Sequence, residues 1–170
     1  MSIKQFNGEW VAVEDRVHFR FNTSEGEEYR FWLTRRIVQA LIAGTQHTAV
    51  KTLEKNHPPQ VAQAMQSFQQ QAMAQQANFQ DNYEGAADKP LGEEPLLVIG
   101  LAINQNDEQM QIEFQLSTGQ SLHIQMTSHV VQVMVTLLNK LQETAQWGVG
   151  WHEALDTSLS HQDVSQHVVH

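Results

Sequence analysis

The sequence contains no cysteine. Disulfide bonds, a thiolate nucleophile and zinc sites with cysteine ligands are therefore excluded. Basic residues are also few, since 10 Lys and Arg stand against 19 Asp and Glu, for a net charge of −9. Affinity for a nucleic-acid backbone comes from many Lys and Arg contacts, so this balance disfavours a general polyanion binder. A small local basic patch remains compatible with it.

Long hydrophobic runs are missing as well. The longest runs, LLVIGLAI and VVQVMVTLL, are far shorter than the roughly 20 residues that cross a bilayer. The opening residues, MSIKQFNGEW, lack the apolar core of a signal peptide. We therefore expect a soluble cytoplasmic protein that does not enter a membrane. With 170 residues, 41% of them hydrophobic, the chain is long enough to bury a core without a cofactor, and we expect none.

Residues 1–57 have the pattern of a three-stranded meander followed by a helix. Strands are predicted at 10–13, 17–21 and 29–33, because apolar and polar residues alternate in the last two and TSEGEE supplies a turn between them. Thr34 is suited to be the N-cap of a helix that runs to about residue 55. The residues expected to face the core are Val17, Phe19, Phe21, Tyr29, Phe31 and Leu33.

Residues 96–148 repeat this pattern 93 positions later. Only six of the 34 pairs from Val17/Met110 to Val50/Glu143 are identical, but every inward position of the first hairpin matches an apolar residue of the second. Internal duplication explains this match, although two unrelated hairpin-helix units would also align in this way. We predict an α+β fold of two pseudo-repeated antiparallel β-meander plus helix units (β-β-β-α), in which each helix covers its own sheet.

A Gln-rich helix is predicted between the two units, at residues 58–83. Its apolar residues are spaced as one narrow helical seam, which either packs on the sheets or pairs with a partner helix. Residues 84–95 are expected to form a linker loop and residues 149–170 a flexible tail, within a single compact domain. The seam consists of Val61, Met65, Phe68, Ala72 and Phe79.

Chemistry-bearing motifs are scarce. There is no G-x-S-x-G elbow, no phosphate-binding glycine loop and no predicted catalytic residue, although His18, His123 and His129 could meet in space. His161, His167 and His170 are weak candidates for metal ligands, because a mobile tail provides ligands without fixed geometry. An enzyme or a metal-binding protein is therefore the third hypothesis.

The main predicted binding surface lies on the outer face of the first hairpin and at the start of its helix. Trp and Arg are enriched at protein-interface hot spots, so the first hypothesis is an interaction or adaptor protein that holds a protein partner or its own copy. The second is a module for single-stranded nucleic acid, which such faces also bind. The surface consists of Arg16, His18, Arg20, Arg30, Trp32, Arg35 and Arg36.

Two of these arginines need a compensating group. Arg35 and Arg36 are expected in the first turn of a helix, where cations oppose the helix dipole. Either an acid from Glu25, Glu27, Glu28 or the linker pairs with them, or an anionic partner binds where they meet the free N–H groups of the helix.

Overall fold

The protein has an α+β fold, with one six-stranded mixed sheet and three helices. The structure, a computed structural model, describes residues 1–76, 82–106 and 109–148. The predicted tail and its three histidines lie outside the described residues, as does Phe79. In chain order the elements are β1 (Ile3–Val11), β2 (Arg16–Thr23), β3 (Glu28–Thr34), α1 (Arg35–Glu54), α2 (Pro59–Gln76), β4 (Leu96–Asn106), β5 (Gln109–Leu116), β6 (Ser121–Thr127) and α3 (Ser128–Thr144).

The strands lie side by side in the order β1-β2-β3-β4-β5-β6. Pairing is antiparallel within β1-β2-β3 and within β4-β5-β6, but β3 and β4 are parallel, with Phe31 beside Leu96 and Trp32 beside Leu97. The prediction of antiparallel strands alone is therefore incomplete. A parallel pair needs a crossover connection, and α1, α2 and residues 82–95 supply it here.

The two hairpins share one pairing register. Phe19 lies opposite Phe31 in the β2–β3 pair, and Ile112 lies opposite Ile124, each 93 positions later, in the β5–β6 pair. All four side chains are buried. Because side chains alternate between the two faces of a sheet, equal registers place equivalent residues of the two halves on the same face.

The first strand of each half also carries an equivalent irregularity. The β1–β2 register shifts between Ile3 and Gln5, and the β4–β5 register shifts between Val98 and Gly100, 95 positions later. The offset between these two irregularities is 95 positions, whereas the offset between the hairpins is 93. Four residues separate Val11 of β1 from Arg16 of β2, but only two separate β4 from β5. The shorter turn accounts for the two-residue difference between the halves.

The hairpin turns match as well. Gly26 and Gly119 have φ angles of 84° and 86°, in the left-handed region that glycine adopts without strain. The amide of Gly26 donates to the Thr23 carbonyl at 3.2 Å, and that of Gly119 donates to the Leu116 carbonyl at 2.9 Å. The same turn geometry therefore closes both hairpins.

Strand β1 begins earlier than predicted. The prediction placed it at residues 10–13, but it spans Ile3–Val11. Gly8 and the surrounding polar residues interrupt the alternation of apolar and polar side chains in this strand. Gly8 also has a packing role, because a Cβ there would lie 2.5 Å from Leu141 Cδ1. The glycine therefore lets α3 approach the strand closely rather than ending it.

Each long helix packs chiefly on the opposite half of the sheet. The main strand partner of α1 is β4, and that of α3 is β1. Gly44 of α1 sits against Ile103 of β4, where a Cβ would lie 2.6 Å from Ile103 Cδ1. The expectation that each helix covers its own meander is therefore wrong. The helices cross because the parallel β3–β4 joint merges the two meanders into one sheet with one shared core, which both helices cover.

Helix α2 forms an outer layer and packs chiefly on α1 and α3. Its buried residues are Ala62 and Gln66. Within the described part of the chain, no helix is both long and apolar enough to cross a membrane.

Candidate functional site

Three predicted surface residues meet at one end of the first hairpin. The Arg16 guanidinium lies over the Trp32 ring, 3.9 Å from its centroid, and the His18 and Trp32 rings are 5.2 Å apart. Arg16 also forms an ion pair with Glu14. Trp32 is half-buried under these neighbours. We refer to Arg16, His18 and Trp32 as the Trp32 cluster.

Two polar atoms in this cluster are buried without a hydrogen-bond partner among the described residues, namely Arg16 Nε and His18 Nε2. Burial and then the charges of Arg20 and Arg30 lower the pKa of His18. The imidazole is therefore disposed to be neutral at physiological pH. His18 Nε2 can therefore still form a hydrogen bond at this end of the sheet.

The other two arginines of the outer face are engaged within the chain. Residues 82–95, which we call the strap, cross the outer face of the first half. Arg20 stacks on the Tyr83 ring, 4.4 Å from its centroid, and donates to Asn7 Oδ1 at 3.0 Å. Arg30 donates to the Glu93 carbonyl at 2.9 Å. Neither arginine presents a free guanidinium.

A buried carboxylate anchors the strap. The Glu28 side chain is fully buried and accepts from Arg30 Nε at 2.5 Å, from the Ala86 amide at 3.1 Å and from the Tyr83 hydroxyl at 3.2 Å. Burial by itself raises the pKa of Glu28, but the bonds from Arg30 and Ala86 outweigh it, so the pKa lies below its usual value. Glu28 is therefore an ionised anchor of the strap.

Backbone contacts complete the strap. Asn22 Nδ2 donates to the Glu84 carbonyl at 2.6 Å, and the Glu84 amide donates to Gln5 Oε1 at 3.2 Å. The Glu28 amide donates to the Asp88 carbonyl at 2.8 Å. The strap is thus held by polar side chains of β1 and β2 and by the start of β3.

Arg35 finds its compensating group in a place the sequence did not suggest. Its guanidinium donates to the Trp147 carbonyl at 2.9 Å, just beyond the C-terminal end of α3. Trp147 lies three residues past the end of α3, near the negative end of that helix dipole, which favours a cation. The expected partners Glu25, Glu27 and Glu28 are therefore wrong for Arg35. Arg36 is exposed and makes no ion pair or hydrogen bond with any described residue.

The segment after α3 is locked to the β1–β2 loop. Trp147 is 3% exposed and its indole N–H donates to Asp15 Oδ1 at 2.7 Å. The Trp10 indole donates to the same oxygen at 3.3 Å. Asp15 has a positive φ of 46°. Its carboxylate joins the β1–β2 loop of the first half to the end of the second half.

Helix α2 exposes two of the four described residues of its predicted seam. Phe68 is 72% exposed and Val61 44%, while Met65 and Ala72 are half-buried. The inner face of the helix is instead lined by Ala62, Gln66, Gln69 and Met73, spaced at i, i+4, i+7 and i+11. The expectation that the seam packs on the sheets is therefore wrong. An apolar edge is left uncovered among the described residues.

The inner face of α2 roofs a cavity of about 320 Å³ between the three helices and the β4–β5 hairpin. Among its described lining residues there is no Asp, Glu, Lys or Arg. Gln69 accepts from Gln132 Nε2 at 3.1 Å and so joins α2 to α3. The glutamine-bearing face of α2 therefore lies toward α1 and α3, and Val61 and Phe68 of the seam lie outside.

The described residues contain no group of three or more His, Cys, Asp or Glu side chains able to hold a metal ion. His18 lies on β2 and His123 on β6, at opposite sides of the six-stranded sheet, and His129 starts α3. The sheet order therefore keeps His18 and His123 apart, so these histidines form no joint site.

Comparisons with protein-family models, with curated proteins and with solved structures find no match.

Several contacts had no signal in the sequence. Glu28, Tyr83 and the Asp15–Trp147 pair join positions between 55 and 132 residues apart. The local alternation and turn patterns that identified the strands carry no information at that distance. The α2 seam did have a signal, its 4-3-4 spacing of apolar residues, but that spacing does not tell which surface covers it.

Proposed function

We propose that this chain is a protein-interaction module that binds a helical partner through the described part of the seam of α2: Val61, Met65, Phe68 and Ala72. The observation that carries the proposal is the 72% exposure of Phe68 on a regular 18-residue helix. An exposed phenylalanine on a narrow apolar seam costs solubility unless a partner covers it.

The spacing of the seam supports a helix as the partner. Residues at i, i+4, i+7 and i+11 form one edge of an α-helix, with the alternating 4-3 spacing that lets side chains of two helices interdigitate. Amphipathic helices are recognised through apolar anchors with this spacing. Phe68 is the largest of the four side chains and is therefore the expected anchor.

We therefore place the proposed interaction on α2 and not on the predicted arginine face. Arg20, Arg30 and Arg35 are already bonded within the chain, to Asn7, Glu28 and Trp147 respectively. A partner that used them would have to replace these bonds, whereas contact with Phe68 displaces only water.

Affinity purification from the native host tests the proposal, with wild type beside Phe68→Gln and Gln63→Ala. Gln63 is exposed on the opposite side of the same helix, so its variant controls for changes in α2 itself. We expect a partner to be lost with Phe68→Gln and kept with Gln63→Ala. If Phe68→Gln retains every partner and Trp32→Ala loses one, the Trp32 cluster is the interaction surface instead.

A second candidate function, binding of single-stranded nucleic acid, is favoured by one observation. The Trp32 cluster combines an aromatic ring, a stacked guanidinium and two unpartnered nitrogens, which are groups that stack on and bond to unpaired bases. Retention on immobilised single-stranded RNA at low salt, lost in Trp32→Ala and weakened by added salt, would support it. Wild-type protein that flows through at low salt would eliminate it.

We also propose that the two halves derive from one duplicated unit. The shared 93-residue offset of the β2–β3 and β5–β6 registers, the equivalent irregularities of β1 and β4, and the matching turns at Gly26 and Gly119 support this origin. Matched substitutions in the two halves should then have equal effects wherever the two environments are equal.

A further inference from the structure

We propose that the helix that covers the α2 seam is α2 of a second copy of this chain, packed antiparallel across a two-fold axis. This inference rests on the proposed function, because it names the partner for the same seam.

Charge distribution favours a second copy at this place. The chain carries a net charge of −9, so two copies repel each other over most of their surfaces. Helix α2 contains no Asp, Glu, Lys, Arg or His in its 18 residues. Two α2 helices can therefore meet without placing like charges in contact.

Side-chain chemistry favours the same partner. Eight of the 18 residues of α2 are glutamines. A glutamine amide both donates and accepts hydrogen bonds, so a glutamine-flanked seam is complementary to its own copy. Gln76 borders the seam on one side and Gln71 on the other, where the small Ala64 also allows close approach of a second helix.

An antiparallel pair also has a natural centre. If the two-fold axis passes between Met65 and Phe68, Met65 of one copy faces Phe68 of the other, and Val61 faces Ala72. This register places a flexible thioether against each exposed ring, a favourable sulfur–aromatic contact. It also sets the two helix dipoles in opposite directions, which is more favourable than a parallel arrangement.

The interface is small. An 18-residue helix is about 27 Å long. A single pair of such helices buries less than the ~800 Å² per partner of a standard stable interface. We therefore expect a reversible dimer whose population rises with protein concentration.

Analytical ultracentrifugation over a wide concentration range tests self-association, with wild type, Phe68→Gln and the control Gln63→Ala. We expect a concentration-dependent dimer, a dissociation constant at least about tenfold higher for Phe68→Gln, since two phenylalanines are lost per dimer, and no change for Gln63→Ala. Thermal unfolding of each variant shows whether the fold is retained. A wild type that stays monomeric, or a dimer unaffected by Phe68→Gln in a folded variant, would overturn the proposal.

Disulfide trapping tests the antiparallel register, because the natural sequence has no cysteine to interfere. The double variant Val61→Cys/Ala72→Cys should form a covalent dimer on mild oxidation. Val61→Cys alone should not, because the two copies of position 61 would lie about 16 Å apart along the helix axes. Efficient trapping by Val61→Cys alone would show a parallel pair and contradict the proposed arrangement.

The proposed function and this inference can fail separately. If the wild type is monomeric but affinity purification recovers a partner that Phe68→Gln loses, the second copy is wrong and the interaction through α2 stands. If Phe68→Gln changes neither self-association nor the recovered proteins, both proposals fall.

Discussion

The two halves of the sheet share their hydrogen-bond register but differ on their outer faces. In the first half the strap crosses the face, covers Arg20 and Arg30, and is anchored by the buried Glu28. In the second half the equivalent face is polar and more exposed, and no described segment crosses it with comparable contacts. The outward residues there are Gln111, Glu113, Gln115, Ser121, His123 and Gln125.

This difference separates the residues that hold the fold from those that do not. Inward residues occupy the one shared core, so they are apolar in both halves. Outward residues are limited only by what lies over them. Arg20 and Arg30 contact the strap, while Glu113 and His123, at the matching positions of the second half, have no such partner among the described residues.

The largest expected effect comes from separating the halves. Residues 1–57 and 96–148, expressed alone, should each lack a cooperative unfolding transition, because α1 packs chiefly on β4 and α3 chiefly on β1. Circular dichroism during heating measures this. Cooperative unfolding of either fragment alone would show that the halves are independent units and that the crossed helices are dispensable.

Removal of the strap's anchor should cost far more stability than the matched change in the second half. Glu28→Ala leaves Arg30, 24% exposed, without its buried partner and frees Tyr83 and the Ala86 amide. We expect a loss of about 3 kcal/mol in the free energy of unfolding, as for other disrupted buried pairs. The matched change Ser121→Ala, at an exposed position, should cost less than about 0.5 kcal/mol. Urea unfolding of both variants measures the contrast, and equal losses would contradict it.

The same anchor predicts a pH dependence. The pKa of Glu28 is lowered in the folded state from its usual 4.5, so the unfolded chain binds this proton more readily. Its stabilising contribution is therefore complete above about pH 4.5 and is lost as the pH falls through the folded pKa. The stability gap between wild type and Glu28→Gln should shrink from pH 6 to pH 3.

A second carboxylate titrates in the same direction but does not interfere. Glu25, whose pKa is lowered to about 2 by hydrogen bonds from the backbone amides of Ser2 and Glu25, is present in both the wild type and Glu28→Gln. Its contribution therefore cancels in the comparison. A gap that stays constant with pH would mean that Glu28 is not an ionised anchor.

The two crossed helix contacts offer a smaller, paired test. In Gly8→Ala the new Cβ would lie 2.5 Å from Leu141 Cδ1, and we expect a loss of about 1–2 kcal/mol from overpacking. In Gly44→Ala the Cβ would meet Ile103 Cδ1 at 2.6 Å. Alanine is favoured over glycine inside a helix by about 1 kcal/mol, so the net change at Gly44 should be close to zero. Thermal unfolding measures both, and a larger loss at Gly44 would contradict this balance.

The two turn glycines should show an equal effect in the two halves. Gly26→Ala and Gly119→Ala each force a side chain into the left-handed region, with no atom within 4 Å of the new Cβ. The cost is backbone strain alone, about 1 kcal/mol at each position. Urea unfolding of both variants should give the same loss within error. A clear difference would show that the matching φ angles do not reflect equivalent turns.

Much of the local structure could be predicted. Alternation assigned Phe19, Phe31 and their neighbours to the core, and all six predicted inward residues of the first half are buried. The helix start after Thr34 was also predicted, and its hydroxyl accepts from the Ile37 amide at 3.4 Å. These features depend on residues close together in the chain, so a local pattern suffices to predict them.

The contacts of the predicted seven-residue surface had no local signal. The structure pairs Arg20, Arg30 and Arg35 with partners as far as 112 residues away. The exposed seam of α2 was visible as a pattern, yet its exposure follows from the way the glutamine-lined face packs on α1 and α3. No local pattern reports which of two helix faces is the buried one when both contain alanine and methionine.

The sequence by itself determined the α+β class, the two hairpins and the side of each central strand that faces the core, because side-chain period and turn chemistry act over a few residues. Only the tertiary structure decided that β3 and β4 pair in parallel, that each helix crosses to the other half, and that the strap covers one outer face. Those outcomes depend on contacts between residues far apart in the chain. The local patterns allow several arrangements, and one is selected by the shared burial of apolar area and by the bonds of Glu28 to Arg30 and the strap.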